Sequence, residues 1–204
     1  MSTILQEVAA GRVTAVLWTV EQYHRAIETG FLPEDGSVEL IDGFIVRKDR
    51  STAGENPVTV GARHRVVVLR LGQMAASFER LGCFLQTQQP VSLPPTSEPE
   101  PDGAVIRGGI DDYLDGPPAA ADVASVIEVA DSSLSIDLGP KLTAYATAGI
   151  PQYIVVDLVN DRVLVHEQPR ERVYANVTTH ERGETVQIAT GHTAVPIDVS
   201  RLLP

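Results

Sequence analysis

The chain has 204 residues, 43% hydrophobic and 21% charged, which is enough to build one globular domain with a real core and no disulfide. Its single cysteine, Cys83, excludes an intrachain disulfide and a cysteine-based zinc site, and fits a reducing cytoplasm. A net charge of −11 excludes a constitutive nucleic-acid binder with a basic face, although a metal-dependent nuclease can be acidic because some of its carboxylates hold cations. If DNA is the substrate, binding leans on the metal and on local cations such as Arg47, Lys48, Arg50, Arg63, Arg65 and Arg70. Glu7 and Arg12 interrupt the apolar start of the chain, so neither a signal peptide nor a membrane span is expected.

Residues 1–16 read as a loosely attached leader, and 17–204 as a single domain. Thr19 with Gln22 three residues on is a capping box that starts a helix ending at Gly30, with Trp18 placed to staple onto Tyr23. In SVELIDGFIVRK, Asp42-Gly43 predicts a two-residue hairpin between short strands. STAGENP is a polar loop. Over 60–81, Val67, Leu71, Met74 and Phe78 repeat at helical spacing, and Gly82 closes the pattern.

A strand is predicted over 83–93, then a rigid extended connector, PPTSEPEP, and a strand over 102–107. Residues 108–122, rich in glycine, proline and aspartate, form a loop. VASVIEVA at 123–130 is a buried strand and 133–148 a helix with Leu134, Leu138, Leu142 and Tyr145 on its apolar side. Strands at 152–158 and 162–168 form a hairpin around Asn160-Asp161, and strands at 172–179 and 185–189 follow. The fold class is mixed α/β, one central mixed sheet flanked by helices.

Glu128 lies inside an apolar strand, where a carboxylate is excluded unless something offsets its desolvation. Asp102 opens the neighbouring strand, and Lys141 follows on the next helix. Two acids on adjacent strands can hold magnesium or manganese, with the Val129 carbonyl as a third ligand and Lys141 orienting the attacking water or stabilising charge. Each residue also has an ordinary role: Pro101-Asp102-Gly103 as a turn, Glu128 as a salt-bridged strand residue, Lys141 as the surface partner of Asp137 four residues earlier. The order and placement of the three together favour the metal site. Asp137, Lys141 and Tyr145 are spaced to share one helix face. Ser132 and Ser133 read as helix caps, and no G-x-S-x-G turn supports a serine nucleophile.

The set VELIDGFIV, His64, PEPD, VIEVADSSLSIDLGPKLTAYATAGIPQYIVVD and the hairpin containing Val163-Leu164-Val165 resembles the Uma-two family of restriction-endonuclease-like proteins, part of the PD-(D/E)XK nuclease superfamily. The resemblance runs from about Trp18 to Tyr174. It implies a metal-dependent DNA endonuclease, with Asp102 and Glu128 as the metal acids. The superfamily lysine two residues after the second acid is replaced here by Ala130, and the family's lysine on the following helix corresponds to Lys141. Glu39 matches a characteristic acid of the first hairpin, with a cross-hairpin pair to Arg47 or Lys48 as its alternative. His64 gains a possible supporting or phosphate-contacting role; His24, His166, His180 and His192 show no ligand spacing. A homodimer is implied too, and cutting both strands of a duplex is simplest with two related sites. The contrasting expectation is a catalytically inactive member that serves as a regulatory binding module, favoured by the acidic charge and the missing E-x-K lysine.

Overall fold

The computed structural model describes residues 6–8, 10–34, 36–48 and 61–204. The STAGENP loop, Arg50 and part of the leader lie outside them. Helix α1 (Val20–Glu28) begins on the expected capping box, with the Thr19 side chain accepting from the Gln22 amide and the Gln22 side chain accepting from the Thr19 amide. Trp18 packs against the cluster of Tyr23, Val38 and Leu40, and its ring also stacks on Phe31, with centroids 6.4 Å apart.

Strands β1 (Val38–Ile41) and β2 (Phe44–Arg47) form the predicted hairpin. Asp42 and Gly43 both have positive φ, 48° and 77°, as a two-residue turn matched to strand twist requires. The hairpin docks through a bridge between Leu40 and Glu98. That bridge brings Glu39 to the segment leading into Asp102. Helices α2 (Ala62–Gln73) and α3 (Ala75–Glu79) bury Val67, Leu71, Met74 and Phe78 as the spacing predicts, with a break at Met74.

The central sheet contains β3 (Cys83–Gln86), β4 (Gly103–Arg107), β5 (Val123–Ala130), β6 (Gln152–Asp157), β7 (Arg162–Arg170) and β8 (Val173–His180), in that spatial order. Only β5 and β6 run parallel. A parallel pair needs a crossover, supplied here by a helical segment: α4 (Leu134–Ile136), a π-helical stretch (Asp137–Lys141) and α5 (Leu142–Thr147). All eight residues of β5 are buried because both faces of the sheet are covered, which explains why the strand reads as a continuous apolar run. One face packs on α2 and α3 through Ile127 and Val129; the other packs on the crossover through Val126, Ala130, Tyr145 and Tyr153.

Several sequence expectations are corrected. The strand expected at 83–93 stops at Gln86, and the PPTSEPEP connector begins with a tight turn at residues 94–96 before its second half runs extended back along residues 88–93. Leu93 and Ser97 exchange backbone hydrogen bonds across it, and the Val91 and Gln88 amides donate to Pro99 and Pro101. Pro94, Pro95, Pro99 and Pro101 have no N–H to continue a ladder, so the chain folds back on its carbonyls. The helix expected at 133–148 is present over 134–147 but widens into a π turn at Asp137–Lys141, where Pro140 cannot donate to the preceding turn. Beyond β9 (Thr185–Ala189), a further strand β10 (Ala194–Asp198) and helix α6 (Val199–Leu202) were not foreseen. Pro196 hides β10 in the sequence, and the strand tolerates it because it pairs only with β9.

Gly43 tests the hairpin. A Cβ there would stand 2.4 Å from Leu17 Cβ, on a left-handed backbone. Gly43→Ala should destabilise the protein by about 1–2 kcal/mol or more. Urea unfolding checks it, with a lower midpoint and an unchanged slope expected.

Candidate active site

The antiparallel register of β4 and β5 pairs Gly103 with Ile127, so Asp102 and Glu128 fall on the next opposed positions. Glu128 projects between Val126 and Ala130 toward the crossover. There its Oε1 accepts from Lys141 Nζ at 3.0 Å and from the Tyr145 hydroxyl at 2.9 Å. Lys141 is 7% exposed, and its amine also lies 3.3 Å from Glu39 Oε2. The π turn accounts for this placement. It widens the helix between Asp137 and Lys141 and carries the lysine into the sheet. Lys141 is therefore not a surface partner of Asp137. Glu39 likewise does not pair across its hairpin: its Oε2 accepts from the Glu100 amide, and Lys48 pairs with Glu100.

Asp102 is held from the other side. Its Oδ2 accepts from the Val129 amide at 2.9 Å and lies 2.9 Å from His64 Nε2 at the head of α2. Strand β5 thus serves both acids: it carries Glu128 itself, and its Val129 amide holds Asp102. Asp137 is buried and accepts from Ser133 Oγ at 2.6 Å, and its carbonyl accepts from the Tyr153 hydroxyl. Ser133 was expected to cap the helix backbone; its hydroxyl serves Asp137 instead. A contact the sequence reading missed is His24 Nε2 on Glu98 Oε1 at 2.7 Å. The alternation Glu98, Glu100, Asp102 was its available signal, because residues two apart in extended chain share a side. Each of the three acids meets a basic side chain from a different element: His24, Lys48 and His64.

Burial pushes the Glu128 carboxyl up to about 8; Lys141 opposes the shift, while Asp137, Asp102 and Glu39 add to it. Burial likewise moves Asp137 up to about 6 against the pull of Lys141 and Ser133. For Lys141 burial works the other way, yet Glu128, Glu39 and Asp137 outweigh it and raise its pKa, so it stays a cation. Burial opposes the charged form of His64, and Asp102 more than offsets it, leaving the imidazole more basic than usual.

Both hydrogen bonds to Glu128 fall on Oε1 and both to Asp102 on Oδ2, so among the described residues each carboxylate keeps one oxygen without a hydrogen-bond partner. Four acids, Glu39, Asp102, Glu128 and Asp137, face two basic groups, Lys141 and His64. No three His, Cys, Asp or Glu side chains converge as a ready cage among the described residues. Such a donor set fits a hard dication that keeps most of its waters and takes one or two carboxylates; it does not fit zinc.

The chain belongs to the family whose model matches residues 20–200 and is described as Uma2, "Putative restriction endonuclease". The resemblance drawn from the sequence is therefore borne out. A search of curated proteins returns no match. Among solved structures, the chain is similar to "a putative nuclease belonging to DUF820" from Anabaena variabilis ATCC 29413, at 13% identity and a TM-score of 0.59, covering 91% of this chain and 97% of that one. At that identity the likeness concerns the fold, a mixed α/β architecture with its six-stranded sheet flanked by helices.

Two predictions follow from the charge balance. Raised acid pKa values mean that the folded state binds more protons than the unfolded state, so the stability they contribute is complete at acid pH and is lost as pH rises. In chelator-treated protein, the melting temperature should fall as pH rises from about 4, where both acids ionise in the unfolded chain, with the Asp137 contribution lost by about 6 and that of Glu128 by about 8. A flat profile across that interval would contradict the burial of these acids. Lys141→Met leaves Glu39 and Glu128 buried without their cation and should cost about 3–5 kcal/mol near pH 8, less near pH 5. Denaturant titration at the two pH values measures it.

Proposed function

We propose that this chain is a cytoplasmic, magnesium- or manganese-dependent DNA endonuclease that hydrolyses phosphodiester bonds with an activated water and no covalent intermediate. The observation that carries the reading is the buried lysine between two carboxylates, with its amine 3.0 Å from Glu128 and 3.3 Å from Glu39. Membership of the restriction-endonuclease family supplies the substrate class. Among the described residues no helix is long and apolar enough to cross a membrane.

Asp102 and Glu128, with the Val129 carbonyl, would hold the dication, which supplies a polarised water and neutralises charge on the phosphoryl oxygens. Lys141 keeps its charge through Glu39 and Glu128, so an ammonium is present beside the reacting groups to orient the water and stabilise developing negative charge. Tyr145 and Lys141 fix one oxygen of Glu128, while His64 and the Val129 amide fix one oxygen of Asp102. Each carboxylate can then present only its second oxygen. A pure binding module has no need of this burial, since an unpaired or badly paired charge here costs several kcal/mol. We further propose a homodimer, with two such sites for the two strands of a duplex.

The test is supercoiled plasmid incubated with magnesium or manganese, with and without chelator. Metal-dependent nicking is expected, with loss of at least 100-fold in Asp102→Asn, Glu128→Gln and Lys141→Arg. The arginine should fail because a planar guanidinium cannot replace a compact ammonium in that space. No nicking by wild type at high enzyme concentration, or equal nicking by Asp102→Asn, would sink the proposal.

A further inference from the structure

The wide turn in the crossover is an uncommon choice for a helix, and it sets where the lysine goes. Here the Asp137 carbonyl accepts from the Leu142 amide, five residues on, where an α-helix uses the fourth. Pro140 weakens the competing α turn, because it has no amide to give to the Ile136 carbonyl. The extra residue fixes the phase of everything after it. Removing it would turn Lys141 and Tyr145 by about 100° against the helix before them. Both would then leave Glu128 Oε1, which they now share.

A side chain from outside the crossover holds that turn. Tyr153, on β6, is fully buried and donates its hydroxyl to the Asp137 carbonyl at 3.0 Å. Burial, with Asp137 and Glu128 nearby, pushes its pKa well up, so the hydroxyl stays a donor. Its ring is confined on three sides, with centroids 4.9 Å from Tyr145, 5.8 Å from His166 and 6.2 Å from Tyr174. The ladder adds to this, setting Tyr153 opposite Val126 on β5 and His166 on β7. Tyr174 belongs to the same cluster, yet its hydroxyl donates to the Ile150 carbonyl, also at 3.0 Å, beyond the end of α5. The two tyrosines make like bonds, and that of Tyr153 is the one that ends on the turn carrying the lysine.

We propose that Tyr153 is a positioning residue: its hydroxyl pins the Asp137 carbonyl, keeps the crossover in its wide turn, and so holds the Lys141 ammonium against Glu128 and Glu39. The catalytic consequence rests on the endonuclease reading; the placement of the lysine does not. The chain contains two lysines, Lys48 and Lys141. Labelling of the folded full chain with acetic anhydride, read by peptide mass, therefore reports Lys141 against Lys48 as internal standard. Tyr153→Phe should raise the Lys141-to-Lys48 ratio about 5–10-fold, the effect of one lost buried hydrogen bond on a local opening. Tyr174→Phe loses a like bond and should leave the ratio at its wild-type value. With plasmid and manganese, Tyr153→Phe should lower kcat about 10–100-fold at unchanged KM, as a small misplacement of a reacting group does. Tyr174→Phe should leave both constants alone. An unchanged ratio in Tyr153→Phe, an equal rise in Tyr174→Phe, or a raised ratio with wild-type kcat would each overturn the proposal. If Tyr153→Phe fails to fold, Pro140→Ala, which returns the amide an α turn needs, decides by the same ratio: a rise is expected, and no rise overturns the proposal. A wild type that never nicks sinks the endonuclease reading while the labelling ratio still tests the placement, so the two fail separately.

Discussion

A carboxylate inside the fully buried strand β5 is the constraint around which this molecule is arranged. Glu128 is almost solvent-free, and an unpaired charge there would unfold the domain or take up a proton. The crossover prevents the first outcome by bringing Lys141 and Tyr145 to its Oε1. The first hairpin brings Glu39 to the other side of the lysine, and the start of β4 sets Asp102 opposite, two further acids that work against the Glu128 charge. None of these contacts is local in sequence. The crossover has to bend through a π turn to deliver the lysine, and the hairpin has to dock on the proline-rich turn to deliver Glu39. The arrangement is more acidic than its own cations can balance, which is a poor solution for stability and a good one for receiving a dication.

The global charge follows the same logic. A protein at −11 gains little from the phosphate backbone by simple attraction, and several of the arginines that looked available are committed to the fold. Arg63 pairs with Asp161 and donates to the Leu158 carbonyl, Arg70 donates to the carbonyls of Arg201 and Leu203, and Lys48 belongs to Glu100. Affinity for a polyanion would therefore depend on bound cations, and should weaken steeply when they are removed.

Local rules made much of the fold legible. The Thr19–Gln22 box, the Asp42-Gly43 turn and the apolar run of β5 each specify their element within a few residues. What escaped was decided by proline in tertiary context: Pro140 in the π turn of the crossover, Pro94 and Pro95 closing a turn, Pro196 sitting on an edge strand. For the site, the oddity of an acid within VASVIEVA pointed to Glu128 directly. Lys141 looked equally like a surface residue, because helical spacing assumes 3.6 residues per turn and the π turn departs from it. Glu39 and His64 could be reached only through the family resemblance, since nothing in their own neighbourhoods announces a partner 102 or 38 residues away.

Calorimetric titration of the purified chain with manganese tests the central claim most directly. If Glu128 and Asp102 are held ready for a dication, the ion should bind at a defined ratio per chain, release protons as the raised acids ionise, and lose that binding in Glu128→Gln. Heat indistinguishable from dilution in the wild type, or equal binding by the variant, would contradict the account.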